Sequence, residues 1–151
     1  MPESPLPRLP MTKAVRDLIA EVTGKPCDIL TIPRDAAGLG VDPPYTILYP
    51  LWTTFGGPAF HSPHADSTWN YQATGTALRG DQIEVFHDKI VRGIVGKSSD
   101  GQHLFGLVVD GMKVMSRDMG NENDGGSSQE DTKAGIITHD IRFSITVTPE
   151  G

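Results

Sequence analysis

Two stretches of this chain alternate with period two, and they limit its fold more than any other feature. In Trp69 to Leu78, WNYQATGTAL, the odd positions (Trp69, Tyr71, Ala73, Gly75, Ala77) are apolar or small, and the even positions (Asn70, Gln72, Thr74, Thr76) are polar and uncharged. In IRFSITVTP, Ile141, Phe143, Ile145 and Val147 alternate with Arg142, Ser144, Thr146 and Thr148. Successive side chains of a strand point to opposite faces, so each stretch predicts a strand with one core face and one polar face.

Two amphipathic helices are available to cover the core face. Val15, Leu18, Ile19 and Val22 keep helical spacing behind Thr12, a candidate N-cap, and Gly24 with Pro26 stops the run, predicting a helix over residues 12–23. Asp81 with Glu84 resembles a capping box, and Ile83, Phe86, Ile90 and Ile94 form one apolar stripe ending at Gly96. This predicts the main core helix over residues 80–95. Cys27 to Ile32 and Tyr45 to Trp52 read as strands, with Pro50 confining the second to an edge or a bulge. Leu107 to Val109 and Met112 to Met115 read as a hairpin around Asp110-Gly111, a type I′ turn signal.

The coarse order α, β, β, β, α, β, β predicts the α+β class: a single two-layer domain, an antiparallel or mixed sheet with two amphipathic helices packed on one face. Residues 1–10 hold four prolines and predict an extended arm ahead of a single domain over 11–151. Between 118 and 134 the chain is polar and acidic, too poor in apolar groups to repay its ordering entropy, and reads as a loop.

A length of 151 residues suits one core. The longest apolar runs fall far short of a membrane span, and MPESPLPRLP has no apolar segment behind a basic start, so neither membrane insertion nor a secretory signal is expected. The single cysteine, Cys27, has no intramolecular disulfide partner and fits a reducing cytosol, where it reads as a small core hydrophobe. The net charge of −6 owes most to Asp118, Glu122, Asp124, Glu130 and Asp131, a segment without Lys or Arg. No basic stripe is present, so sequence-specific nucleic-acid binding has no electrostatic footprint.

Catalytic signals are sparse. His61, His64 and Asp66 form H-x-x-H-x-D, but zinc sites want three or four ligands with a supporting shell, and a polar loop is the plainer reading. His87 reads as a packed or half-exposed helix residue, and His103 and His139 as isolated. Phosphate, dinucleotide, nucleophile-elbow, zincin and dithiol motifs are absent. The expectation is a protein that is not an enzyme, with no metal and no cofactor.

What remains is the polar face of the two strands. A solvent-facing sheet usually mixes Lys and Glu with Thr, partly against edge-to-edge association. Strand propensity alone explains a threonine-rich face. A face that meets another subunit explains it too, because uncharged donors and acceptors lose less on desolvation than charges do.

The run from PPYTILYPL through a Gly-Pro loop to HADSTWNYQATGTALRGDQIEVFHDKIVRGIVG resembles the central block of tail terminator proteins of long-tailed phages, especially those infecting actinobacteria. Pro44, Tyr45, Tyr49, Pro50, Leu51, Ala65, Asp66, Tyr71, Gln72, Thr74, Arg79 and Gln82 match the family pattern, and FSITVTP is similar to its last strand. One departure is Gly75, directly after Thr74. The resemblance implies a ring, typically hexameric, that caps the head-proximal end of the tail tube, stops its polymerisation and presents a surface to the head connector or head closure protein. Its implied partners are further copies of itself, the tail tube protein and the connector. DNA would pass through the lumen without sequence-specific binding, and the protein would reside in the virion neck after synthesis in the host cytoplasm. On this reading Gln72, Thr74, Arg79, Gln82, Arg142, Ser144 and Thr146 are interface candidates. Asp118, Glu122, Asp124, Glu130 and Asp131 would line a lumen or loop that repels the phosphate backbone. The alternatives are another neck protein, a head closure or tail completion subunit, or a small cytosolic ligand-binding domain or enzyme using His61, His64 and Asp66.

Overall fold

The computed structural model describes residues 6–56, 66–120, 125–131 and 135–150. Along them the elements are α1 (Leu9–Thr23), β1 (Cys27–Ile29), β2 (Tyr45–Gly56), β3 (Asp66–Ala77), α2 (Gly80–Val95), β4 (Met112–Met119), β5 (Gly125–Asp131) and β6 (Ile136–Pro149). The sheet runs β1-β2-β3-β6-β4, with β5 also paired to β6. β1 is parallel to β2 and the other pairings are antiparallel, so the sheet is mixed. Both helices pack on one face, giving the two-layer α+β domain that the patterning predicts.

The alternation drives this arrangement. Trp69, Tyr71 and Ala73 of β3 and Ile141, Phe143, Ile145 and Val147 of β6 are buried in one cluster with Met11, Val15, Ile19, Ile90 and Ile94 of the helices. Tyr71 and Phe143, directly opposite in register, stack with ring centroids 5.5 Å apart. Each such side chain stabilises the fold by about 1.5–3 kcal/mol on burial. The helices approach so closely that a Cβ on Gly93 would lie 2.9 Å from both methyl groups of Val22. Gly75, the departure from the family pattern, sits beneath α2, where a Cβ would meet Phe86 at 3.4 Å and Ile83 at 3.6 Å.

Several expectations are corrected. α1 begins at Leu9 rather than behind Thr12, because Pro10 in its first turn presets helical backbone. Thr12 lies inside the helix, its hydroxyl 3.0 Å from the Tyr71 hydroxyl. Arg8, assigned to an extended arm, is tied to the sheet: its guanidinium donates to the carbonyls of Leu51 and Asn70 and lies 4.5 Å over the Tyr71 ring. β1 stops at Ile29, where Leu30 turns to a φ of 62°. β2 runs past Trp52 to Gly56, with the irregularity expected at Pro50 present as a register shift between Pro50 and Thr53. The start of α2 is Arg79 in extended backbone, not an Asp81 capping box.

The expected hairpin of 107–109 with 112–115 is reduced to an isolated bridge between Val109 and Met112, and β4 pairs with β6 instead. The segment read as one acidic loop over 118–134 is divided. Asp118 belongs to β4, and residues 125–131 form β5. β4 takes β6 from Phe143 to Pro149 and β5 takes it from Ile136 to Ile141, so the two lie end to end along one side of β6. Pairing to an open strand edge uses backbone groups, which a polar sequence supplies as well as an apolar one.

Candidate functional site

The even-numbered residues of β3 and β6 face away from both helices. In register they form cross-strand pairs: Thr68 with Thr146, Asn70 with Ser144, Gln72 with Arg142 and Thr74 with Asp140. Three of these pairs are joined by side chains. The Thr68 and Thr146 hydroxyls are 2.9 Å apart, Arg142 Nε donates to Gln72 Oε1 at 3.0 Å, and the Thr74 hydroxyl donates to Asp140 Oδ1 at 2.8 Å. Gln72 Nε2 also donates to the Thr74 hydroxyl at 3.2 Å, linking two rungs. On β2, Ile47 and Tyr49 stand opposite Thr74 and Gln72 on this same face. On β4, Ser116 and Asp118 stand opposite Thr146 and Ser144.

The structure therefore brings Gln72, Thr74, Arg142, Ser144 and Thr146 together on one surface. It adds Thr68 and Asp140, which the sequence reading did not single out, and Asn70, which it placed on the polar face without naming it an interface candidate. Asp140 was hidden because the strand was read from Ile141, whereas it extends back to Ile136 through residues whose burial does not alternate. Its presence also corrects the picture of a face whose only charge is Arg142: the face holds a carboxylate as well, hydrogen-bonded to neutral Thr74. Arg79 and Gln82 lie elsewhere, at the N-terminal end of α2. Arg79 forms an exposed ion pair with Asp81 at 3.2 Å, and Gln82 Oε1 accepts from the Leu78 backbone N–H at 3.3 Å. Asp118 is exposed beside the face; Glu130 and Asp131 belong to the backbone of β5, and Glu122 and Asp124 lie outside the described residues.

His61 and His64 also lie outside the described residues, and Asp66 opens β3. Among the described residues no three His, Cys, Asp or Glu side chains converge as a metal-ligand set. Burial, reinforced by Asp28, pushes the Cys27 thiol up to about 12, so it stays protonated. His139 is not isolated: His87 Nδ1 and His139 Nε2 are 2.9 Å apart, their rings edge to face. Burial and the neighbouring His87 hold the His139 pKa below the ordinary histidine value. The pair was invisible in the sequence because the two residues stand 52 positions apart.

No protein-family model matches the chain, and no curated protein does. A solved structure does. A chain from "Virion of native gene transfer agent (GTA) particle" superposes with a TM-score of 0.60 at 15% identity, covering 91% of this chain and 93% of that one. This fold occurs in a virion. At that identity the match establishes a shared fold across nearly the whole of both chains.

Proposed function

We propose that this protein is a structural component of a phage-like virion, and that within the virion it acts as a tail terminator. The observation that carries the first part is the fold match over 91% of the chain to a chain of a gene transfer agent virion. The ordered resemblance around PPYTILYPL and WNYQATGTALRGDQ narrows the role to a ring, hexameric on the family pattern. That ring would cap the head-proximal end of the tail tube, halt tube polymerisation and seat the head connector. We assign it no catalysis.

The uncovered sheet face supports an assembly role. Its hydrogen-bonding groups are largely engaged with one another, so bringing Gln72, Thr74, Ser144 and Thr146 against a neighbouring subunit or the tube displaces water at little desolvation cost. Exposed Arg79 and half-buried Gln82, at the α2 N-terminus, would form a separate contact. Asp118 and the acids that follow it would keep DNA moving through the lumen by like-charge repulsion.

Deletion of the gene in the producing phage tests this reading. Loss of a terminator gives abnormally long or unfinished tails, whereas normal tails beside unjoined heads identify a head closure or tail completion protein instead. Electron micrographs of the purified protein mixed with its tube protein should contain rings at one tube end.

A further inference from the structure

Among the described residues the three most exposed large apolar side chains are Val108 (88%), Leu39 (66%) and Leu30 (63%). They lie at the two ends of the sheet, Leu30 and Leu39 beyond β1 and Val108 next to β4. Clustered apolar groups on ordered backbone mark a surface that a partner covers.

Residues 30–41 leave β1 and fold back on themselves through a bridge between Arg34 and Gly40. Asp35 Oδ1 accepts from the backbone N–H groups of Ala37 and Leu39 at 2.9 and 3.0 Å, and Arg34 Nη1 donates to the Gly38 carbonyl at 2.9 Å. Polar side chains therefore hold the loop in shape while Leu39 is left outside, and Ile32 stands against Gly40 on the other arm. The loop is a preformed apolar knob, so docking it costs little ordering entropy.

At the far end of the sheet, residues 102–108 and β4 enclose a cavity of about 380 Å³. Leu107, Val108, Met112 and Val114 supply its apolar wall. Arg117 Nη1 donates to the Phe105 carbonyl at 2.7 Å and the Ile94 carbonyl at 3.3 Å, tying that wall to β4 and the end of α2, so the groove is preformed too. Among the described residues no strand pairs with the outer side of β4. The signs of charge also match. From Asp28 to Asp42 three acids (Asp28, Asp35, Asp42) stand against Arg34 alone, whereas the groove has Arg117 and, at its polar margin, Lys113 against Glu150. Opposite net charge steers the two surfaces together without requiring any side-chain charges to touch.

We propose that the Leu39 loop of one copy seats in the β4 groove of the next, a head-to-tail contact between copies of this chain. Knob and groove complement each other in shape and charge and belong to the same molecule, which makes a second copy the occupant. Because they sit at opposite ends of one sheet, each added copy leaves one knob and one groove free until a ring closes. The inference rests on the ring of the proposed function and supplies its joint, leaving the polar ladder of β3 and β6 to the tube.

The test is site-directed cross-linking of the full chain in a Cys27→Ala background. Leu39→Cys and Val108→Cys are made as separate variants, mixed, and treated with a short bismaleimide, with and without the tail tube protein. The mixture should give covalent dimer at severalfold the yield of either variant alone, and the variant carrying both cysteines should close into covalent rings. Adding Leu39→Asp to a Val108→Cys and Ile32→Cys pair should abolish their cross-link while leaving the thermal midpoint unchanged, because Leu39 is exposed. Trp52→Cys mixed with Val108→Cys sets the level of random collision. A Leu39–Val108 yield at that level, both with and without tube protein, overturns the proposal. Cross-linking of Leu39→Cys to itself at the mixed-pair yield makes the contact two-fold and overturns it as well. Specific cross-links in a protein whose deletion leaves tails normal would retire the terminator role and keep this joint, whereas long tails on deletion without specific cross-links would do the reverse.

Discussion

Gln72 and Arg142 clasp each other across the middle of the sheet, Nε to Oε1 at 3.0 Å, and Gln72 passes the contact on through Thr74 to Asp140. A charge inserted here changes the surface without touching the core. Thr74→Lys places a cation opposite Asp140, where a cross-strand pair contributes about 0.2–1 kcal/mol, so the fold should hold. Thr74→Glu faces the same carboxylate and should lose a similar amount. Both, and Thr146→Glu, are expected to stay folded by circular dichroism yet fail to cap tubes in electron micrographs. Wild-type capping by Thr74→Lys and Thr146→Glu would sink the assignment of this face.

Arg8 joins the start of α1 to β2 and β3 through the Leu51 and Asn70 carbonyls and the Tyr71 ring. Charge-assisted hydrogen bonds and a partly desolvated cation–π contact predict a loss of about 2–3 kcal/mol for Arg8→Ala in urea denaturation. Arg8→Lys should restore less than half, because an ammonium lacks the fork that reaches both carbonyls. Full rescue by lysine would reduce the role of Arg8 to charge alone.

Gly93 sets the distance between the helices. Gly93→Ala gains up to about 1 kcal/mol in helix propensity but drives a methyl into Val22, a stiff β-branched side chain, at an overpacking cost of about 1–3 kcal/mol. The expected net change is destabilising in the wild type and neutral or stabilising in a Val22→Ala background. A double-mutant cycle with no coupling between the two positions contradicts the packing argument.

His139 and His103 both hold their protons less tightly than free histidine, chiefly through burial, with His87 acting on the first and Arg117 and Lys97 on the second. Below the ordinary value of about 6.5 the unfolded chain therefore binds more protons than the folded one. Stability is full above that value and falls as pH drops through it toward the depressed folded values. The urea midpoint should fall between about pH 7.5 and about pH 5.5. His139→Gln should flatten that slope in part, and adding His103→Gln should flatten it further. An unaltered slope in the double variant would assign the pH response to other groups.

Where side chains carry the fold, the sequence was readable. The β3 and β6 alternation and the Ile83, Phe86, Ile90, Ile94 stripe each place apolar groups on one face, and each face is the buried one. β5 was not readable, since Gly125 to Asp131 is held to β6 by backbone pairing that leaves no mark on residue type. The same division applies to the site. Period two gathered Gln72, Thr74, Arg142, Ser144 and Thr146, while resemblance alone joined Arg79 and Gln82 to them, and linear motif matching carries no information about faces. Arg117 and the His87–His139 pair were missed because each acts between elements distant in sequence.

The position of β6 between β3 and the β4–β5 edge has a consequence for timing. Chains emerge from the ribosome N-terminus first, yet β3, paired to β2 on one side, gains its second neighbour only when residues 136–149 have been made. Half of the polar ladder is likewise contributed by those residues. On the proposed assembly role, a nascent chain thus presents only the β3 half of that surface, and competence for assembly would arrive when β6 slots into place.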